Sequence, residues 1–114
     1  MSNVPDFGDD EIKIVEDTLQ ERYRRAVPVQ QADVELRLTP EDRELTECPA
    51  LYWEDGECHF VIVKLGKARY HCQFYYGLHQ QYGTGRPEYD DLFDCVTTLL
   101  KLQADHAATE REQA

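Results

Sequence analysis

Between Asp9 and Ala26, the apolar residues Ile12, Val15, Leu19 and Tyr23 return at intervals of three and four, which lays one stripe along a helix. Asp9, Asp10 and Glu11 open that segment and Arg22, Arg24 and Arg25 close it, so charge matches the helix dipole at both ends. Pro28 stops it. From Ala32 to Leu38 the period changes to two. Ala32, Val34, Leu36 and Leu38 alternate with Asp33, Glu35 and Arg37, a strand with one dry and one wet face. Thr39-Pro40-Glu41-Asp42 has the hydroxyl, proline and carboxylates of a helix start. With Leu45 alone as apolar anchor, it supports a single turn or a structured loop.

The richest pattern lies between residues 50 and 76. Leu51-Tyr52-Trp53-Glu54, the turn pair Asp55-Gly56 and the run His59 to Leu65 form a β-hairpin. Gly66-Lys67 turns the chain again, and Ala68 to Tyr76 returns as the next strand of an antiparallel meander. In this register Tyr52 faces His59 and His59 faces Phe74. His59, Val61, Val63, Leu65, Ala68, Tyr70, Cys72 and Phe74 then share the face expected beneath the helices. Leu51, Trp53, Phe60, Ile62 and Tyr75 fall on the other, interrupted by Lys64, Arg69, His71 and Gln73. Left uncovered, they make an aromatic patch that marks an association surface; a helix over each face would remove it.

A loop from Gly77 to Arg86 leads into the last helix, with Pro87 in its first turn and Glu88, Asp90 and Asp91 behind it. Tyr89, Leu92, Phe93, Val96, Leu99 and Leu100 form its stripe. The predicted fold is therefore α+β: a two-layer sandwich with an antiparallel sheet of about four strands between an N-terminal and a C-terminal helix, in the order α-β-β-β-β-α. Residues 9–104 form the single domain, and residues 1–8 and 105–114 are expected to be flexible.

Composition narrows the function. The 114 residues carry a formal charge of −11 and are 41% hydrophobic, too apolar for a disordered chain. No apolar run approaches the roughly 20 residues that span a bilayer. Met1 to Asp6 lacks the basic flank and apolar stretch of a secretory signal. The expectation is a soluble cytoplasmic protein with its four cysteines reduced. Twelve Lys and Arg scattered among 23 Asp and Glu argue against direct contact with nucleic acid or an anionic membrane. They favour a protein partner.

Candidate chemistry is sparse. Cys48, Cys58-His59 and His71-Cys72 have the residue types of a zinc site, but neighbours along a strand point to opposite faces. Cys48 and Cys72 share a face from strands on either side of a central one, about 9–10 Å apart, too far for one metal. No metal or cofactor is expected. His59 looks like a packing residue between rings, Cys95 sits among carboxylates that oppose thiolate formation, and no catalytic residue is assigned. The loop offers His79, Thr84 and Arg86 as donors for an anion near a helix N-terminus.

Three functions remain. The favoured one is a small acidic interaction module or regulatory subunit without catalysis, acting as a homodimer or with another protein. The alternative is an anion- or small-molecule-binding domain, possibly enzymatic, built on Gly77 to Arg86. The second alternative is an acidic mimic of nucleic acid.

Overall fold

A computed structural model describes residues 4–37, 41–77 and 80–113. The elements are α1 (Asp9–Tyr23), β1 (Gln30–Leu36), β2 (Thr46–Asp55), β3 (Cys58–Gly66), β4 (Arg69–Gly77), β5 (Gln80–Gly83) and α2 (Leu92–Gln113). The strands form one antiparallel sheet in chain order, β1-β2-β3-β4-β5. The fold is α+β as expected, with one strand more. β5 pairs four residues of the glycine-rich loop with β4, and its Gln80-Gln81-Tyr82-Gly83 has no apolar alternation to announce it. Leu38, Thr39 and Pro40 lie outside the described residues, and Leu45 is exposed rather than an anchor.

α1 forms for the reasons its sequence gives. Val15 and Leu19 are fully buried, with Ile12 and Tyr23 beside them against the core. Gly8 is the N-cap, its N–H donated to Glu11 Oε1 at 2.7 Å. The helix ends where Arg24 turns into the left-handed region at φ 59, ahead of Pro28. The chain before it is not loose: Phe7 is buried and stacks on Tyr70, and Val4 packs beside Cys48, Ala50 and Val63.

The register corrects the assignment of faces. Asp55 pairs with Cys58, so the two-residue turn is Gly56-Glu57, and Gly56 takes the positive φ of 61 that such a turn needs at its first position. Tyr52 consequently lies opposite Val61, with His59 opposite Glu54. The second turn is Lys67-Ala68, preceded by a bulge between Lys64 and Gly66. One extra residue there flips the whole of β4. Phe74 therefore lies opposite Phe60, Cys72 opposite Ile62, and Tyr75 opposite His59.

Both helices pack on the face of Leu51, Trp53, Phe60, Ile62, Tyr70, Cys72 and Phe74, the set that forms the main core with Val96 and Leu99 of α2. The expected exposed patch of Leu51, Trp53, Phe60 and Ile62 is thus the floor of the core, each side chain at most 1% exposed. Tyr75 alone of that group lies on the opposite face, half-buried.

α2 also differs from expectation. It opens at Leu92, with Asp91 accepting the Phe93 N–H at 3.1 Å as an N-cap side chain does. Pro87 lies in a bend ahead of the helix, and Tyr89 pairs its backbone with Tyr70. The helix then runs to Gln113, through the stretch expected to fray. Its anchor there is His106, packed among Phe74, Tyr76 and Tyr82, with its nearest ring centroid 4.3 Å away. Counting histidine as polar hid that contact.

Candidate functional site

With both helices on one side, no helix among the described residues covers the other face of the sheet. On β1 that face carries Gln30, Ala32, Val34 and Leu36; on β2 Cys48, Ala50, Tyr52 and Glu54; on β3 His59, Val61 and Val63; on β4 Arg69, His71, Gln73 and Tyr75. Cys48, Ala50 and Val63 are small and are buried by Val4 of the N-terminal segment and by Val34, Leu36, Val61 and Leu65 around them. The rest are half-buried or exposed.

Its charge is unusual for this molecule. Within β1 to β4, the charged side chains of the open face are Glu54 and Arg69, and Arg69 is neutralised by Glu88 through two hydrogen bonds of 2.8 and 2.9 Å. Asp33 and Glu35 of β1 alternate onto the other side. A chain of net charge −11 therefore presents a nearly uncharged sheet face.

One end of this face holds an aromatic and polar cluster. The Tyr52 hydroxyl donates to Glu54 and lies 2.5 Å from His59 Nδ1. With its single proton given to Glu54, the hydroxyl can only accept from the histidine, so Nδ1 is the protonated ring nitrogen. Tyr75 stacks on the other side of His59 at 4.9 Å. Burial and the hydrogen bond to Glu54 both push the Tyr52 phenol well above its usual range. These rings are tied to one another by stacking and hydrogen bonds and form one packed aromatic cluster. The sequence register places Tyr52 directly opposite His59; with the turn one residue later the two meet diagonally, and it is Glu54 that lies opposite His59 and joins them.

The two described loop donors, Thr84 and Arg86, already have partners within the chain. Arg86 lies 4.3 Å over the Tyr89 ring and 3.4 Å from Asp94, while Thr84 bonds the backbone of Arg86. The helix N-terminus that they were to share begins at Leu92 and already has the Asp91 carboxylate. His79 lies outside the described residues.

The cysteines are core residues. All four are free and buried. Burial pushes the thiol of Cys48 up and that of Cys58 to about 11. Cys95 is held far above its ordinary value by hydrogen bonding with Cys72 and by burial. A thiol in such surroundings is a poor nucleophile at neutral pH. Among the described residues, no three His, Cys, Asp or Glu side chains come together as a metal site. Among the described residues, no helix is long and apolar enough to cross a membrane. Comparison with protein-family models, with curated proteins and with solved structures finds no match, and the function must be read from this geometry.

Proposed function

We propose that the protein is a non-catalytic interaction subunit that works as a pair, two copies meeting through their open sheet faces. The observation that supports this reading is the charge map: the face without helices is the nearly neutral one on a strongly acidic chain. Interface cores are depleted in charge and enriched in tyrosine, as this face is. Two copies can approach there while the carboxylates remain in solvent, screened beyond about 8–10 Å at physiological salt. A charged partner would gain little from a face whose arginine is paired with Glu88 and whose glutamate, Glu54, already accepts from Tyr52. The resulting assembly would be four layers, helices outside and two sheets about 10 Å apart within.

The area sets the expected strength. Four strands about 4.8 Å apart, each contributing roughly seven residues at about 3.3 Å, present on the order of 500 Å² per copy. The sum for two copies is near the lower limit of about 1,200 Å² for specific interfaces, which points to micromolar rather than nanomolar pairing.

Sedimentation velocity across a concentration series tests it. The expected mass doubles through the micromolar range. Val61→Asp, between Tyr52 and Gln73 on the open face, buries an uncompensated carboxylate if the faces meet. That should weaken pairing by about 100-fold, as removal of one partner's compensation at a buried charge does. A wild-type chain that stays monomeric at millimolar concentration, or a Val61→Asp dimer as tight as wild type, would overturn the proposal.

A further inference from the structure

The two edges of the sheet differ. β5 is blunt: it has four residues, ends in glycine, and its register against β4 shifts between Tyr75 and Gly77. β1 has seven residues without proline or glycine and pairs with β2 in an unbroken register from Gln30 to Leu36. Among the described residues, no strand pairs with its outer side. Alternate residues of an antiparallel edge strand turn their N–H and C=O away from the sheet, so β1 offers a row of donors and acceptors to an incoming chain. Gln30, Gln31, Ala32, Asp33 and Glu35 are exposed there, and Val34 and Leu36 are half-buried.

We propose that β1 accepts an added strand, an extended segment of another protein in which lysine or arginine alternates with aliphatic residues. The backbone edge supplies the ladder, and the side chains of β1 choose the partner. Asp33 and Glu35 lie on one side of the sheet, Ala32, Val34 and Leu36 on the other. Neither carboxylate has an ion-pair partner among the described residues, and Arg37, just past the strand, pairs with neither. Asp33 also lines a cleft of about 240 Å³ with Asp6, Gln31 and Pro49, which has room for the end of a long cationic side chain.

A second copy of the chain suits this edge badly. Opposite charges facing each other across a strand pair stabilise it, and like charges oppose it. Full antiparallel overlap of two β1 strands sets Asp33 against Asp33, and centring the pair on Val34 sets Asp33 against Glu35 twice. A strand with cations at those positions and aliphatic residues between them turns the same carboxylates into favourable pairs. Pairing through the open faces leaves the β1 edge free in both copies.

The probe is an end-blocked peptide of alternating lysine and valine, long enough to span β1, followed by fluorescence anisotropy against the full chain at physiological salt. Binding should saturate, with amide NMR shifts centred on Gln30 to Leu36. A peptide of the same composition with its lysines and valines in separate blocks should bind at least about fivefold weaker. Of two peptides N-methylated at all valines or at all lysines, one should lose binding, because only one set of amides faces the edge. In the double variant Asp33→Lys, Glu35→Lys, changed at exposed positions, the lysine peptide should bind about tenfold weaker and a glutamate–valine peptide tighter. Val61→Asp, on β3, should bind the lysine peptide as wild type does, which separates this edge from pairing through the open face. No saturation at millimolar peptide, equal binding of the block peptide or of both N-methylated peptides, or an unchanged preference in the double variant would overturn the proposal. So would shifts in Gln30 to Leu36 on concentrating the Val61→Asp chain alone, which would give the edge to a second copy.

Discussion

Lys64→Met is the substitution that most directly tests how the two ends of the fold are tied. Lys64 is buried at 5% exposure, its Nζ 2.7 Å from Glu11 Oε1 and 3.0 Å from the Asp6 carbonyl. Its ammonium also lies 5.7 Å from the centre of the Phe7 ring. Glu11 in turn accepts from the Gly8 N–H and the Tyr70 hydroxyl. Methionine keeps the apolar stem and deletes the charge, leaving a carboxylate with two of its donors. Breaking a buried ion pair from one side costs about 3–5 kcal/mol. Glu11 keeps 20% of its side chain in water, so the lower figure is the better guide, about 2–3 kcal/mol. With unfolding entropy near 2.1 cal/mol/K per residue, 114 residues convert that to a Tm lower by about 10 °C.

Acid pH adds an independent reading. Burial alone would raise the Glu11 pKa, but the Gly8 N–H, Lys64 and Tyr70 outweigh it and hold the carboxyl below 4.5. A depressed carboxyl contributes stability that is present above its unfolded value and is lost as pH falls through the folded one. In Lys64→Met the folded value rises, and the acid loss shrinks and begins at higher pH. Thermal melts followed by circular dichroism from neutral to acid pH measure both effects. Glu11→Gln in the Lys64→Met background should recover part of the loss, a coupling of about 1 kcal/mol or more. A Tm change under about 2 °C, or strict additivity of the two substitutions, would refute the tie.

Ala68→Gly should raise stability by about 0.5–1 kcal/mol, because Ala68 holds φ 54 in the second hairpin turn and glycine has no side chain to strain there; a lower denaturant midpoint would contradict the turn geometry. Asp91→Ala should lower stability by about 1 kcal/mol through loss of the α2 N-cap, measured in the same denaturant series. Stability should fall in alkali: Cys58 is raised by burial from 9.0 to about 11 and Tyr23 from 10.0 to about 12, so each favours folding fully below its unfolded value and loses that contribution as pH rises to the folded one. A flat stability profile above pH 9.0 would show these groups to be solvated.

What the sequence revealed and what it hid follow from the range of each signal. α1 and the three central strands are legible because their periodicities are local, and Val15, Leu19, Phe60 and Ile62 are buried as a repeat requires. Which sheet face the helices cover was decided by one bulge residue near Leu65, and no composition signal distinguishes a bulge from a tight turn there. That single residue moved Tyr70, Cys72 and Phe74 to the side of Trp53 and turned the expected contact surface into core. The open face was harder to find because its members are Val, Ala, Gln and His, spread over four strands, and only their pairing shows how little charge they carry together.

The meander leaves a mark on how the chain is made. Every strand pairs with its sequence neighbour, so the sheet can assemble from short loops as it emerges, with little entropy spent on closure. The cover is different: α1 is synthesised first and α2 after the whole sheet, and the two must meet across it. Until Val96 and Leu99 arrive, the rings of Trp53, Phe60 and Phe74 wait under half a roof. At about 5–20 residues per second, the 22 residues of α2 prolong that state by about 1–5 s. That interval on the ribosome is when a chaperone has something to hold, and when two nascent chains have most opportunity to join by the wrong face.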